Sequence, residues 1–154
     1  IRLPHHPFIY DSEGNSLSYT IKSDDKDAYL QQLMFTEKKV LELVDIIQKE
    51  SPESVIMIIS DHGYRADINW EEPSNDDLIR GFNVITSFYF PGKEFTIDEK
   101  ISLVNVYRIF FNEYFDYELP ILVDKQFWYN PSNLYIHFDV TDKLETRISN
   151  DIRD

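Results

Sequence analysis

The stretch "VIMIISDHGY", residues 55–64, constrains the fold of this chain more than any other. Apolar residues run from Val55 to Ile59 without interruption and then give way to Ser60, Asp61, His62 and Gly63. An unbroken apolar run of strand length suits a strand covered on both faces, as in a parallel sheet flanked by helices. The segment before it has a different period. From Asp27 to Glu50 the apolar positions Tyr29, Leu33, Val40, Val44 and Ile47 recur every three to four residues, with Gln, Glu and Lys between them, which predicts one long amphipathic helix. Asp24, Asp25 and Asp27 place negative charge at its start, and Ser51-Pro52 stops it. A helix leading into a buried strand is the pattern of α/β layering.

The rest of the chain fits that frame. Residues 4–16 read as a loop, with Pro4 and Pro7 early and Glu13-Gly14-Asn15 late. Residues 64–80 read as irregular and acidic, carrying Asp67, Glu71, Glu72, Asp76 and Asp77 around Trp70 and Pro73. This run lacks the spaced Asp/Asn and Gly of a calcium loop. Residues 83–92 predict a second strand closed by Pro91-Gly92, and 101–116 a helix capped by Ser102, with Val104, Tyr107, Phe111 and Tyr114 at helical spacing. Residues 134–140 predict a further strand, in which His137 reads as a core histidine. The aromatic stretch 126–138 reads as core rather than as a sugar-stacking surface.

At 154 residues the chain has the length of about one domain and can bury a real core. Its formal charge of −13 repels phosphate backbones, so nucleic acid is not an expected partner. The absence of cysteine removes disulfides, thiolate metal sites and cysteine nucleophiles together. No apolar run reaches the roughly 18–20 residues that span a bilayer, so no transmembrane segment is expected and the chain reads as soluble. Ile1 stands where a Met would open a protein, and "IRLPHHPF" begins like the tail of an apolar strand; the chain reads as a piece of a longer protein.

Asp61, His62 and Gly63 fall where an α/β sheet gathers its ligands, beyond the carboxyl end of a strand. A carboxylate beside an imidazole suits zinc, manganese or a similar divalent cation better than calcium, and Gly63 lets the backbone come close. The bland alternative is a capping Asp with a solvated His beside it. His5 and His6, between two prolines, offer a second arm, although a His pair in a loop is commonly plain surface. Arg65 can contact an anionic substrate, or it can be an ordinary exposed arginine.

Five segments, "PHHPFIYDSEGN", "YLQQLMFTEKKVLELVDII", "VIMIISDHGYR", "YFPG" and "ISLVNVYRIFFNEYFDYELPILVD", occur in this order between residue 4 and about residue 124. Together they resemble the later half of a sulfatase-like domain of the alkaline phosphatase superfamily, closest to bacterial membrane-anchored sulfatase-like proteins. The resemblance implies a three-layer α/β/α sandwich with a mostly parallel sheet, of which 1–154 is a single, C-terminal part. It implies a hydrolase or transferase acting on sulfate or phosphate esters, with a divalent metal (zinc, manganese, magnesium or calcium) held by Asp61 and His62. His5 is implied as a metal or oxyanion ligand and Arg65 as a further donor to the substrate; no role transfers to His6. The nucleophile belongs to an earlier segment, so the implied partners are that N-terminal half and the ester substrate, and the isolated chain is expected to be inactive. The implied location is the extracytoplasmic face of a membrane-anchored parent. Gln31, Glu37 and Tyr64 depart from the family's usual residues. The alternative is a non-catalytic acidic binding or scaffold module that keeps the same fold.

Overall fold

A computed structural model describes residues 4–17, 21–94, 97–98 and 101–144. In chain order its elements are α1 (Lys26–Glu50), β1 (Ile56–Ile59), α2 (Asn75–Phe82), β2 (Thr86–Tyr89), α3 (Leu103–Phe115), β3 (Phe127–Asn130) and β4 (Asn133–Asp139). They belong to two compact units: one runs up to Ile59 and includes Ile85–Pro91, the other holds Ser60–Val84 and the chain from Gly92 onward.

In the first unit α1 forms where the periodicity predicts it. The Asp25 carboxylate caps it by accepting from the Ala28 amide at 2.9 Å, and the Ser51 N–H closes its end on the Ile47 carbonyl. Its deepest positions, however, are Ala28, Gln32 and Thr36, while Tyr29, Leu33, Val40, Val44 and Ile47 are only half-buried. The reason is the loop that lies on the helix. Buried Gln32 accepts from the Ile9 amide at 2.7 Å and donates to the His5 carbonyl at 3.2 Å, so one side chain satisfies a donor and an acceptor of the loop backbone. Gln31 accepts from the Ser12 amide, and Lys38 reaches the Ser12 carbonyl and the Glu13 carboxylate. Phe8 is the buried apolar residue that the loop contributes.

The sheet corrects the expected fold class. Among the described residues there is no mostly parallel sheet and no α/β/α sandwich, but two sheets of two antiparallel strands, β1 with β2 and β3 with β4. Ile56 pairs with Tyr89 and Ile59 with Thr86, so β2 returns beside the end at which β1 left off. An apolar run reports burial, not the direction of the neighbouring strand. Burial itself is incomplete: every residue of β1 is half-buried.

The core of the second unit is Ile68, Leu78, Trp128 and Val140, with Trp70, Phe82 and Leu144 packed on it. Trp70 and Trp128 stack at 5.0 Å between ring centroids, and the Trp128 indole N–H donates to the Trp70 carbonyl. Here α2 begins inside the stretch 64–80 that reads as irregular and runs two residues past it. Ser74 and Asp77 form a reciprocal capping box, and Asp77 also accepts from Arg80 at 2.6 Å. The Ser74 amide and hydroxyl, ahead of Arg80, hold the Asp77 carboxyl below its usual range.

In α3 the predicted apolar stripe is mostly not the buried face. Val104, Tyr107 and Phe111 are exposed and Tyr114 is half-buried, while the two buried residues are Asn105 and Val106. Asn105, fully buried, donates to the Leu122 carbonyl and the Asp124 carboxylate and accepts from the Leu122 amide, all within 2.8–2.9 Å. Two turns on, Asn112 makes the same two-way pairing with Leu119, and Arg108 donates to the Pro120 carbonyl between them. A side-chain amide carries the donor and acceptor of a peptide group, so the two asparagines dock the extended segment 119–124 as a neighbouring strand would. Ser102 gives no side-chain cap; its amide instead donates to Asp124.

Candidate functional site

Asp61 and His62 leave β1 and lie at the start of the second unit. Asp61 is exposed and His62 half-buried. The His62 Nδ1 lies 2.7 Å from the Gly63 carbonyl oxygen, an acceptor, which places a proton on Nδ1 and makes Nε2 the ring nitrogen available to another partner. That Nε2 stands 3.8 Å from the Asp61 Oδ2. Two ligands on one tetrahedral zinc at ordinary bond lengths lie about 3.4 Å apart, so closing the pair on a cation requires a shift of a few tenths of an ångström. Fixing one imidazole nitrogen on a backbone carbonyl while the other is presented is also how metal-ligating histidines are commonly oriented. Both donor types fit a borderline divalent cation.

Gly63 has a different job from the one its position suggests. A Cβ at this residue would run into the Arg80 carbonyl oxygen and lie 2.7 Å from that of Asn83, both backbone atoms at the end of α2. The Gly63 amide donates to the Gly81 carbonyl at 2.9 Å. The close approach is thus to α2, and it anchors the backbone that carries Asp61 and His62.

Arg65 is half-buried, with its guanidinium 5.5 Å from the centre of the Trp70 ring, a cation–π contact. Its Nε is buried and makes no hydrogen bond among the described residues. His5, in the first unit, is exposed, and its Nδ1 sits 2.6 Å from the His6 carbonyl. His6 reaches the Ile21 carbonyl at 3.2 Å. His137 is exposed rather than core, its ring edge-on to Phe127 at 5.4 Å, because all of β4 is exposed. Of the aromatic stretch 126–138, Trp128 alone is a core residue.

Among the described residues, no group of three or more His, Asp or Glu side chains is gathered as a metal would require. None of the described helices is long and apolar enough to cross a membrane. Sequence reasoning missed Asn105, Asn112, Gln32 and the Ser74–Asp77 box. The last was signalled by Ser-x-x-Asp before Leu78-Ile79. The amide pairings had no signal beyond polar residues at helical spacing. Comparison with family models, with curated proteins and with solved structures finds no match to this chain.

Proposed function

We propose that Asp61 and His62 are two ligands of a divalent-metal site, and that the chain is the metal-binding part of a sulfatase-like hydrolase or transferase acting on sulfate or phosphate esters. The observation that carries this reading is the pair itself: an exposed carboxylate 3.8 Å from an imidazole nitrogen whose partner nitrogen is tied to the Gly63 carbonyl. The five ordered motifs supply the reaction class by resemblance. A bound cation would stabilise charge on the ester oxygens and acidify an attacking oxygen. The chain's own part is to hold the pair still, through Gly63 against the last turn of α2. In this reading Arg65 contributes positive charge on the same stretch of backbone, four residues past Asp61.

Calorimetric titration of the chain with zinc and with manganese tests the proposal. Binding that disappears in both Asp61→Ala and His62→Ala, and persists in His137→Ala, is the expected result. Equal affinity in the first two variants and the parent chain overturns it.

A second reading, a non-catalytic acidic binding module, is favoured by one observation. Large apolar residues are exposed in number on α3 and on the β3–β4 hairpin, including Tyr107, Phe115, Leu134 and Tyr135, a surface suited to partners rather than to chemistry. Partner binding unchanged by Asp61→Ala and His62→Ala, with no metal uptake, is the result this reading expects.

A further inference from the structure

We propose that Arg80 is a positioning residue for the Asp61–His62 pair: from α2 it steadies the peptide group that orients the His62 ring. The inference rests on the reading of Asp61 and His62 as metal ligands, and it names the residue on which their geometry depends.

The path from Arg80 to the ring runs through Gly63. The His62 Nδ1 donates to the Gly63 carbonyl at 2.7 Å, so the direction of that carbonyl sets the direction of the ring. The carbonyl belongs to the peptide group that joins Gly63 to Tyr64, and the backbone is fastened to α2 on either side of it. Ahead of it, the Gly63 amide donates to the Gly81 carbonyl at 2.9 Å, and the Gly63 Cα faces the Arg80 carbonyl with no room for a Cβ. Beyond it, the Arg80 guanidinium donates through Nη1 to the Ala66 carbonyl, a long bond at 3.5 Å. Arg80 therefore meets this segment twice, with its backbone at Gly63 and with its side chain at Ala66.

The guanidinium is itself braced. Its Nη2 donates to the Asp77 Oδ1 at 2.6 Å, and the other oxygen of the same carboxylate accepts from the Ser74 amide and hydroxyl at the start of the helix. The Asp77 side chain is 10% exposed against 39% for Arg80, so the carboxylate is the fixed end from which the arginine reaches outward. A planar guanidinium can hold a carboxylate with one arm and a carbonyl with the other, which the point charge of a lysine does not do in one geometry. An Asp–Arg pair three residues apart adds little to a helix by itself. The second arm is what gives this pair a role outside α2. Because the bond to Ala66 is the longer of the two anchors, its removal loosens the Gly63 carbonyl without releasing the backbone from Gly81.

Arg80→Met keeps most of the side-chain stem and removes the guanidinium. Ser74→Ala weakens the start of the same helix and leaves both Arg80 bonds in place. Each variant is measured in two ways: zinc affinity by calorimetric titration, and the ring-nitrogen NMR shifts of His62 in the metal-free chain at mildly alkaline pH, which report whether the proton stays on Nδ1. The expected result for Arg80→Met is a zinc affinity lower by about tenfold, the loss seen when a group supporting a metal-binding histidine is removed, with His62 signals that move toward the average of the two tautomers. Ser74→Ala is expected to match the parent chain in both measurements although its urea midpoint falls. Zinc affinity that follows the urea midpoint through both variants, or His62 signals in Arg80→Met equal to those of the parent, overturns the proposal. A parent chain that takes up no zinc refutes the metal reading instead, and the His62 signals alone then decide whether Arg80 orients the ring.

Discussion

Replacing Gly63 by alanine tests whether the backbone bearing Asp61 and His62 is clamped to α2. The added methyl meets two carbonyl oxygens, of Arg80 and of Asn83, and neither can swing aside as a side chain would. Relief requires the strand exit and the helix end to separate, which also stretches the 2.9 Å bond from the Gly63 amide to the Gly81 carbonyl. Forced overpacking costs about 1–3 kcal/mol and a weakened hydrogen bond about 1 more, so the second unit loses about 2–4 kcal/mol. Both tryptophans of the chain, Trp70 and Trp128, stack in that unit, and their fluorescence follows its unfolding in urea. For a slope of roughly 2 kcal/mol/M the midpoint falls by about 1–2 M. Gly81→Ala is the comparison: its Cβ meets the buried Trp128 ring at 3.1 Å, a side chain rather than backbone, and alanine favours the helix by about 1 kcal/mol, so its loss is the smaller of the two. A Gly63→Ala midpoint equal to that of the parent chain would refute the clamp.

Other outcomes follow from the polar clasps. Asn105→Asp removes the amide donor and sets a second carboxylate beside Asp124, so it destabilises by about 2–4 kcal/mol at neutral pH, partly restored on acidification; an effect identical to that of Asn105→Ala, or no pH dependence, speaks against the clasp. Ser74→Ala costs α2 about 0.5–2 kcal/mol, read from the same fluorescence transition. It also raises the Asp77 carboxyl part of the way toward its usual value, since the hydroxyl bond is lost while the Ser74 amide, the larger cause of the depression, remains. Asp139, hydrogen-bonded first by Thr141 and then by Lys125, titrates at about 2 instead of the usual 3.8. Because the folded value is the lower one, its stabilisation is complete above 3.8 and is withdrawn as the pH falls toward about 2. A carboxyl resonance of Asp139 with a midpoint at the ordinary value contradicts that picture.

The elements with a strong period were legible. Helix α1 begins one residue before the predicted Asp27 and ends at Glu50, because its pattern and its caps agree. Strands β1, β2 and β4 fall inside the predicted segments or within one residue of them. What one sequence does not encode locally is which strands become neighbours, so the expectation of a parallel sheet from Val55–Ile59 gave way to an antiparallel pair. In α3 the apolar stripe mostly missed the buried face, since a fully buried Asn105 is worth its place only once Leu122 and Asp124 lie against it. Gly63 was singled out for a ligand's approach, and the neighbour that needs the space is a helix end seventeen residues further along the chain. Asp61 and His62 were legible as a pair because adjacency in sequence is itself the geometry.

The most direct measurement of the central claim is the broadening of histidine ring signals by trace Mn²⁺, a paramagnetic stand-in for the native cation. The chain has four histidines, so each ring can be followed separately. The account predicts that His62 is broadened at concentrations that leave His6 and His137 sharp, and that Asp61→Ala removes the effect. Uniform broadening of all four rings, or a sharp His62 throughout the titration, contradicts it.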